Sequence, residues 1–160
     1  MRSIFLLLIL LTAGIRIWVY SMTKDIELKE KFRYEKEIDK ILLALHFFFY
    51  FMVYVETYIQ YKELNIISGI GAVIYAAAIA LLMSIGRSPE LIHKYSRYLK
   101  IPFIHKQSNY EYITLKSFYI LEIFGLSLLF QSFTSFLVII PFYIGLIAFR
   151  IFLAEKVFED

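Results

Sequence analysis

Apolar runs long enough to cross a lipid bilayer occupy most of this chain and restrict its possible folds more than any other feature. The run at residues 4–20 is interrupted only by Arg16, and the run at residues 66–85 carries no charged residue. One membrane-spanning helix needs about 20 mostly apolar residues, so the hydrophobic 60% of these 160 residues suffices for about five spans. Helices satisfy their own backbone hydrogen bonds in lipid, whereas open strands do not. The sequence therefore predicts a membrane protein and excludes an ordinary soluble enzyme.

The predicted fold is all-α, a single integral-membrane domain built as a bundle of five transmembrane helices. The predicted spans are residues 4–20, 41–60, 66–85, 113–130 and 136–153. Two polar connectors, residues 23–40 and 86–112, lie between spans on one side of the membrane. The first connector is predicted to be a solvated helix whose charges form no binding site.

The distribution of basic residues predicts how the bundle is oriented. The two connectors hold eleven Lys and Arg residues, whereas the opposite side has Arg2 and Lys62. Segments rich in Lys and Arg stay in the cytoplasm. We therefore expect the amino terminus outside and the connectors and carboxyl terminus in the cytoplasm. In such a protein the net charge of +3 reflects topology, and no nucleic-acid partner is expected.

Ionisable residues inside the predicted spans are candidate functional groups, because burying a charge in lipid is costly. Arg16 and Lys116 lie near the cytoplasmic ends of their spans, and we expect both side chains to extend to the headgroups. Glu56 is close enough to the outer end of its span to reach water. Glu122 lies near the middle of the fourth span, so it should face the bundle interior. Its carboxyl group could there serve either a structural pairing or a function, and the sequence favours neither.

Small residues recur at every fourth position of the third span. They are Ser68, Ala72, Ala76, Ala80 and Ser84. In lipid such a stripe favours close helix–helix packing, and we expect a seam against another helix in preference to a groove for a slim ligand. The chain has no cysteine, and its three histidines lack metal-ligand spacing, so no metal site is predicted.

A short pattern flanks the last two predicted spans. KQSNYEYI, at Lys106–Ile113, precedes the fourth span, and RIFLAEK, at Arg150–Lys156, ends the fifth. This pattern resembles the carboxyl-terminal core of the isoprenylcysteine carboxyl methyltransferase family and its bacterial and archaeal membrane relatives. In that family a cytoplasmic Arg-His-Pro-Asn-Tyr segment leads into a helical hairpin, which closes with a pattern like Arg-Ile-x-Leu-Glu-Glu.

The resemblance implies a methyltransferase that takes its methyl group from S-adenosylmethionine. Asn109 and Tyr110 match the family's Asn-Tyr, while Arg150 and Glu155 match its arginine and second glutamate. By this resemblance the cofactor-binding residues are His105, Gln107, Asn109, Tyr110 and Glu155. Arg150 and Tyr110 are the implied catalytic residues, with Arg150 orienting a carboxylate. The implied acceptor is lipid-like or prenylated, and membrane lipids are the other expected partner.

The pattern departs from the family at three positions, and the departures support an alternative. Gln107 and Ser108 replace the family's histidine and proline, and Ala154 replaces its first glutamate. A member of the same fold that has lost activity and binds a lipid or a membrane partner is the alternative hypothesis. From the residues alone, Arg150 and Lys156 could instead anchor the cytoplasmic end of the fifth span.

Overall fold

The computed structural model describes residues 2–28, 33–60, 63, 65–88, 90–99, 101, 104 and 107–156. Within these ranges the chain forms six helices and no strand, which confirms the all-α prediction. The helices are α1 (Arg2–Leu28), α2 (Arg33–Ile59), α3 (Ile66–Arg87), α4 (Glu90–Ser96), α5 (Gln107–Phe130) and α6 (Phe133–Lys156).

Four of these helices are long and apolar enough to cross a membrane, namely α2, α3, α5 and α6. The apolar stretch of α1, Leu6–Met22, is shorter than the others. The predicted membrane bundle is therefore supported, while the count of five spans is not confirmed.

Several helices extend beyond the predicted spans. α1 continues to Leu28, and α2 already begins at Arg33, so most of the connector at residues 23–40 belongs to these two helices. α5 begins at Gln107, six residues before its predicted start at Ile113. Polar residues assigned to connectors are consequently carried on the same rigid helices as the apolar spans.

The closest helix crossing in the bundle joins α3 to α5. A Cβ atom added at Gly71 would collide with the backbone of Leu128 and Leu129, and one added at Gly125 would collide with the backbone of Tyr75. Because glycine has no side chain, the two helices approach closely at both positions. The α3–α5 seam therefore depends on two glycines.

The stripe of small residues that was predicted to form a helix seam lies on a different face of α3. Ala76, Ala80 and Ser84 are exposed, and only Ser68 at one end of the stripe is buried. The face of α3 that packs inward instead carries Gly71, Tyr75, Ala78, Leu82 and Ile85. The prediction was wrong because α3 is apolar all round, so small residues alone did not indicate which face packs.

A tight turn joins α5 to α6, as expected for a helical hairpin. Gln131 adopts a positive φ of 54°, and the amide of Ser132 donates to the carbonyl of Ser127 over 2.8 Å. The Gln131 side chain donates to Ser68 Oγ over 3.0 Å and to the carbonyl of Glu63 over 2.9 Å. The turn is thereby held against Glu63 and the first turn of α3.

The long helices run alternately up and down. Polar contacts join the end of α2 to the start of α6, and the start of α5 to the end of α6. We call the end that holds the α2–α3 and α5–α6 turns the turn end. We call the opposite end, where α4 lies, the connector end.

Candidate functional site

The inward face of α5 carries a line of polar side chains that begins at the connector end and stops midway along the helix. Its members are Asn109, Tyr112, Lys116, Tyr119 and Glu122, spaced three or four residues apart. This spacing places them on one helix face. None of the five is more than 2% exposed. We call this line the polar stripe of α5.

Two charged clusters form along the polar stripe. The first, the connector-end cluster, consists of Asp39, Tyr112, Lys116 and Arg150. Asp39 Oδ1 lies 3.1 Å from Lys116 Nζ and accepts a 2.8 Å hydrogen bond from the Tyr112 hydroxyl. Arg150 Nε lies 3.7 Å from Asp39 Oδ2, and its guanidinium lies over the Tyr112 ring, 3.3 Å from the centroid. One buried carboxylate thus faces two buried cations.

The second group, the midspan cluster, consists of Arg16, His46, Tyr50 and Glu122. The Tyr50 hydroxyl donates to Glu122 Oε1, and His46 Nε2 lies 2.8 Å from the Tyr50 oxygen and 3.4 Å from Glu122 Oε1. The guanidinium of Arg16 lies over the ring of Tyr119 and interacts electrostatically with both Glu122 and His46. Three helices, α1, α2 and α5, therefore bring charged groups together inside the bundle.

The clusters correct three predictions and confirm one. Arg16 is 3% exposed and Lys116 2% exposed, so neither side chain extends to the headgroups. Asp39, predicted to belong to a solvated connector, is only 6% exposed. Each of these groups is near an aromatic ring or an opposite charge, which lowers the cost of burial. Glu122 faces the interior as predicted.

The structure joins two residues of the methyltransferase-like pattern directly. Asn109 Nδ2 donates to Glu155 Oε1 over 2.6 Å, and these residues are 46 positions apart in sequence. Arg150 lies on the same helix as Glu155 but is fully buried in the connector-end cluster. Ala154, where the resembled family has its first glutamate, shares the buried face of Arg150. Asn109, Glu155 and Arg150 thus all lie at the connector end.

The other implied site residues make contacts of their own. The Tyr110 hydroxyl lies 2.7 Å from the carbonyl of Ile104 and 3.0 Å from that of Ile101, so it holds the connector against α5. Gln107 Nε2 donates to Ser96 Oγ over 2.7 Å, which ties the start of α5 to α4. His105 lies outside the described residues.

An open apolar groove of about 470 Å³ runs between α1 and α3. Its lining residues are Leu10, Leu11, Gly14, Ile15, Trp18, Met83 and Arg87. Arg87 is the only charged residue among them. Over the described part of the chain, no group of three His, Asp or Glu side chains is arranged to hold a metal ion.

Sequence reasoning missed Asp39 and His46 as members of the buried clusters. The signal was present in α2, because Asp39, His46, Tyr50 and Val53 follow one another at helical spacing and all are buried. The prediction placed a boundary between Lys40 and Ile41, so Asp39 was assigned to a connector and His46 to a span. For that reason the two residues were not recognised as members of one helix face.

With the geometry of the interior established, the chain was compared with known proteins. No family model, curated protein or solved structure matches it.

Proposed function

We propose that the protein is an integral-membrane, S-adenosylmethionine-dependent methyltransferase that methylates a carboxylate on a lipid-like acceptor. The observation that carries this proposal is the hydrogen bond between Asn109 and Glu155, which lies at the same end of the bundle as the buried Arg150. These residues come from two distant segments, KQSNYEYI and RIFLAEK, which together resemble the methyltransferase pattern. Their meeting at one end of the α5–α6 hairpin is what a shared site requires.

The chemical character of these side chains fits the roles assigned to them. When bound, S-adenosylmethionine supplies a methyl group on a sulfonium centre. The Glu155 carboxylate is suited to the donor's ammonium or ribose hydroxyls, and the Asn109 amide holds that carboxylate in place. Glu155 is partly exposed at the end of α6, so a water-soluble cofactor can reach it. The positive charge of Arg150 attracts the acceptor's carboxylate to the same end of the bundle.

This chemistry needs alignment and exclusion of water more than it needs a base. An acceptor carboxylate is already ionised at neutral pH, and methyl transfer to its oxygen is an in-line displacement. A candidate base is therefore not required beside Arg150. The proposed role of the protein is to bring the two reacting atoms together in a site sheltered by α4 and the connector.

The proposed site faces the cytoplasm. Eleven Lys and Arg residues in the connectors 23–40 and 86–112 favour the cytoplasmic side for the connector end. The amino terminus then lies outside and the carboxyl terminus inside. This orientation puts Glu155 in the compartment where a soluble cofactor is supplied, while the acceptor enters from the bilayer.

A second candidate function is favoured by the groove and by the burial of Arg150. Arg150 is 0% exposed and close to Asp39, so a substrate carboxylate would have to replace an internal partner. The groove between α1 and α3 could take an apolar chain, with Arg87 near a headgroup. A protein that keeps the fold and binds a lipid or a membrane partner without catalysis would use these features.

Calorimetric titration of the detergent-purified protein with S-adenosylhomocysteine tests the proposal. We expect a dissociation constant near 1 μM, or about 8 kcal/mol of binding free energy. Glu155→Gln keeps the oxygen that accepts from Asn109 but removes the charge, and should weaken binding about tenfold, or ~1.4 kcal/mol. Glu63→Gln, at the turn end, is the matched control and should bind like the parent protein.

Two outcomes would contradict the methyltransferase proposal. One is a folded protein that gives no heat and no thermal shift with S-adenosylhomocysteine. The other is equal weakening by Glu155→Gln and Glu63→Gln, since a site at the connector end cannot depend on Glu63. The first result would favour the lipid-binding function, which native mass spectrometry with Arg87→Gln would then examine, and the second would remove the connector end as the cofactor site.

A further inference from the structure

The midspan cluster contains buried polar atoms that its own hydrogen bonds do not use. Among the described side chains, His46 Nδ1, Glu122 Oε2 and the Tyr119 hydroxyl have no hydrogen-bond partner. Arg16 Nε and Nη1 are likewise unpartnered within that part of the structure. Buried polar groups in proteins are normally satisfied, and in lipid the cost of leaving them unsatisfied is greater. A cluster whose only role was structural would be expected to pair more of these atoms.

The hydrogen bonds that are present define where protons sit. Because the Tyr50 hydroxyl donates to Glu122 Oε1, its oxygen is left to accept from His46 Nε2. His46 then carries its proton on Nε2, and its Nδ1 has a buried lone pair that no donor uses. Glu122 Oε2 is a second buried atom that no donor uses. The cluster thus contains two sites that can accept a proton, joined through Tyr50.

We propose that the midspan cluster is a reversible proton-binding site inside the membrane. A proton added at His46 Nδ1 or Glu122 Oε2 forms one N–H or O–H bond and breaks none within the cluster. The Tyr50 hydroxyl connects the two acceptors, so the added charge is shared along the His46–Tyr50–Glu122 chain. The proposal does not depend on methyltransferase activity and would stand without it.

Charged and titratable groups from α1, α3, α5 and α6 surround the His46–Tyr50–Glu122 chain. α1 contributes Arg16, whose positive charge opposes proton uptake and stabilises the ionised form of Glu122. α3 contributes Tyr75, whose hydroxyl bonds to Thr12. α5 contributes Lys116 and Tyr119, and α6 contributes Tyr143, whose ring centroid lies 5.9 Å from that of His46. Arg16 and Lys116 disfavour the added proton, and the carboxylate of Glu122 favours it.

The polar stripe of α5 provides a route from the connector end to this site. Asp39 pairs with Lys116, and Lys116 Nζ lies 5.4 Å from the centroid of the Tyr119 ring. Tyr119 in turn contacts both Arg16 and His46. Toward the turn end, the buried hydroxyls of Thr12 and Tyr75 bond to each other, and no described side chain that is buried there carries a charge. We therefore assign the entrance to the connector end.

Histidine NMR and infrared difference spectroscopy on the detergent-purified full chain test the proposal directly. As the pH falls from about 8 through the range in which an ordinary imidazole gains its proton, and then below it, we expect either the His46 ring nitrogens or the Glu122 carboxyl to gain one proton reversibly. His93 is 48% exposed, and its ring signals serve as the reference for a histidine that water reaches. His46→Gln assigns the imidazole signal, and Glu122→Gln should remove any carboxyl band that Glu56→Gln retains.

The parent protein alone can overturn the proposal. If neither His46 nor Glu122 gains a proton over this range while the protein stays folded, the midspan cluster is a fixed network that binds no proton. The entrance is tested separately by a pH jump. Asp39→Asn should slow the response of the cluster about tenfold, and an unchanged rate in that folded variant would overturn the assigned route.

Discussion

The two halves of α5 perform different tasks on the same inward face. From Asn109 to Glu122 the face is polar, and its side chains pair with groups from α1, α2 and α6. From Gly125 to Phe130 it is small or apolar, and it meets α3 at a backbone-to-backbone crossing. A membrane helix can therefore hold its neighbours in two ways, by buried charge at one end and by close packing at the other.

The difference matters because the two kinds of contact fail differently. Removing one partner of a buried ion pair leaves an uncompensated charge in a medium that cannot solvate it. Inserting a side chain at a close crossing separates helices that keep all their charges paired. The polar half of α5 is thus sensitive to the removal of a charged side chain, and the packed half is sensitive to the insertion of a larger one.

The largest effect should follow the loss of Asp39 from the connector-end cluster. Asp39→Ala leaves Lys116 and Arg150 buried without their carboxylate, and we expect the free energy of unfolding to fall by about 3–5 kcal/mol. Denaturation of the protein in mixed micelles, followed by circular dichroism, measures this. Glu37→Ala, which removes an exposed carboxylate paired with Lys40, should cost less than about 1 kcal/mol. Equal losses in the two variants would refute the importance of the buried cluster.

A smaller effect is expected at the α3–α5 crossing. Gly125→Leu forces the backbones apart and should lower the free energy of unfolding by about 1–3 kcal/mol. Gly145→Leu is the matched control, because a Cβ at Gly145 meets nothing within 4 Å. The same micelle denaturation compares them. If Gly145→Leu destabilised the protein as much as Gly125→Leu, the crossing would not be where the structure places it.

The smallest effect concerns the stripe of small residues that the sequence singled out. Ala76 is exposed, so Ala76→Leu should change the free energy of unfolding by no more than about 0.5 kcal/mol. Ala78 is fully buried two residues later, and Ala78→Leu should cost about 1–3 kcal/mol. If Ala76→Leu lowered the free energy of unfolding more than Ala78→Leu in the same denaturation experiment, the stripe would be a helix seam after all.

The sequence predicted the helical membrane class and the inward orientation of Glu122, because both depend on the cost of polar groups in lipid. It did not predict which face of α3 packs. In a soluble protein an apolar residue usually indicates the packed face of a helix, but in a membrane an apolar residue is also favourable on the face toward lipid. The sequence therefore does not show that Ala78 packs inward and Ala76 does not. The decisive feature was two glycines on different helices, each of which faces the backbone of the other helix only once the chain is folded, Gly71 at Leu128 and Gly125 at Tyr75.

The candidate site was predictable only in part. Asn109 and Glu155 were chosen from a resemblance, and the structure places them in hydrogen-bond contact. The positions of Arg16, Lys116 and Asp39 were misjudged because each lies near the end of an apolar run, where a long side chain can usually reach water. Their burial depends on partners from other helices, which no single helix pattern reveals.

The short apolar stretch of α1 has a consequence for the surrounding membrane. The apolar run at residues 4–20 covers about 26 Å along a helix axis, whereas the hydrocarbon core of a typical bilayer is about 30 Å thick. α3 presents a longer apolar surface next to it, so the two neighbours match bilayers of different thickness. Where α1 crosses the bilayer with its neighbours, the lipids beside it must thin or α1 must stand nearly upright, and such a protein should partition into the thinner regions of a membrane.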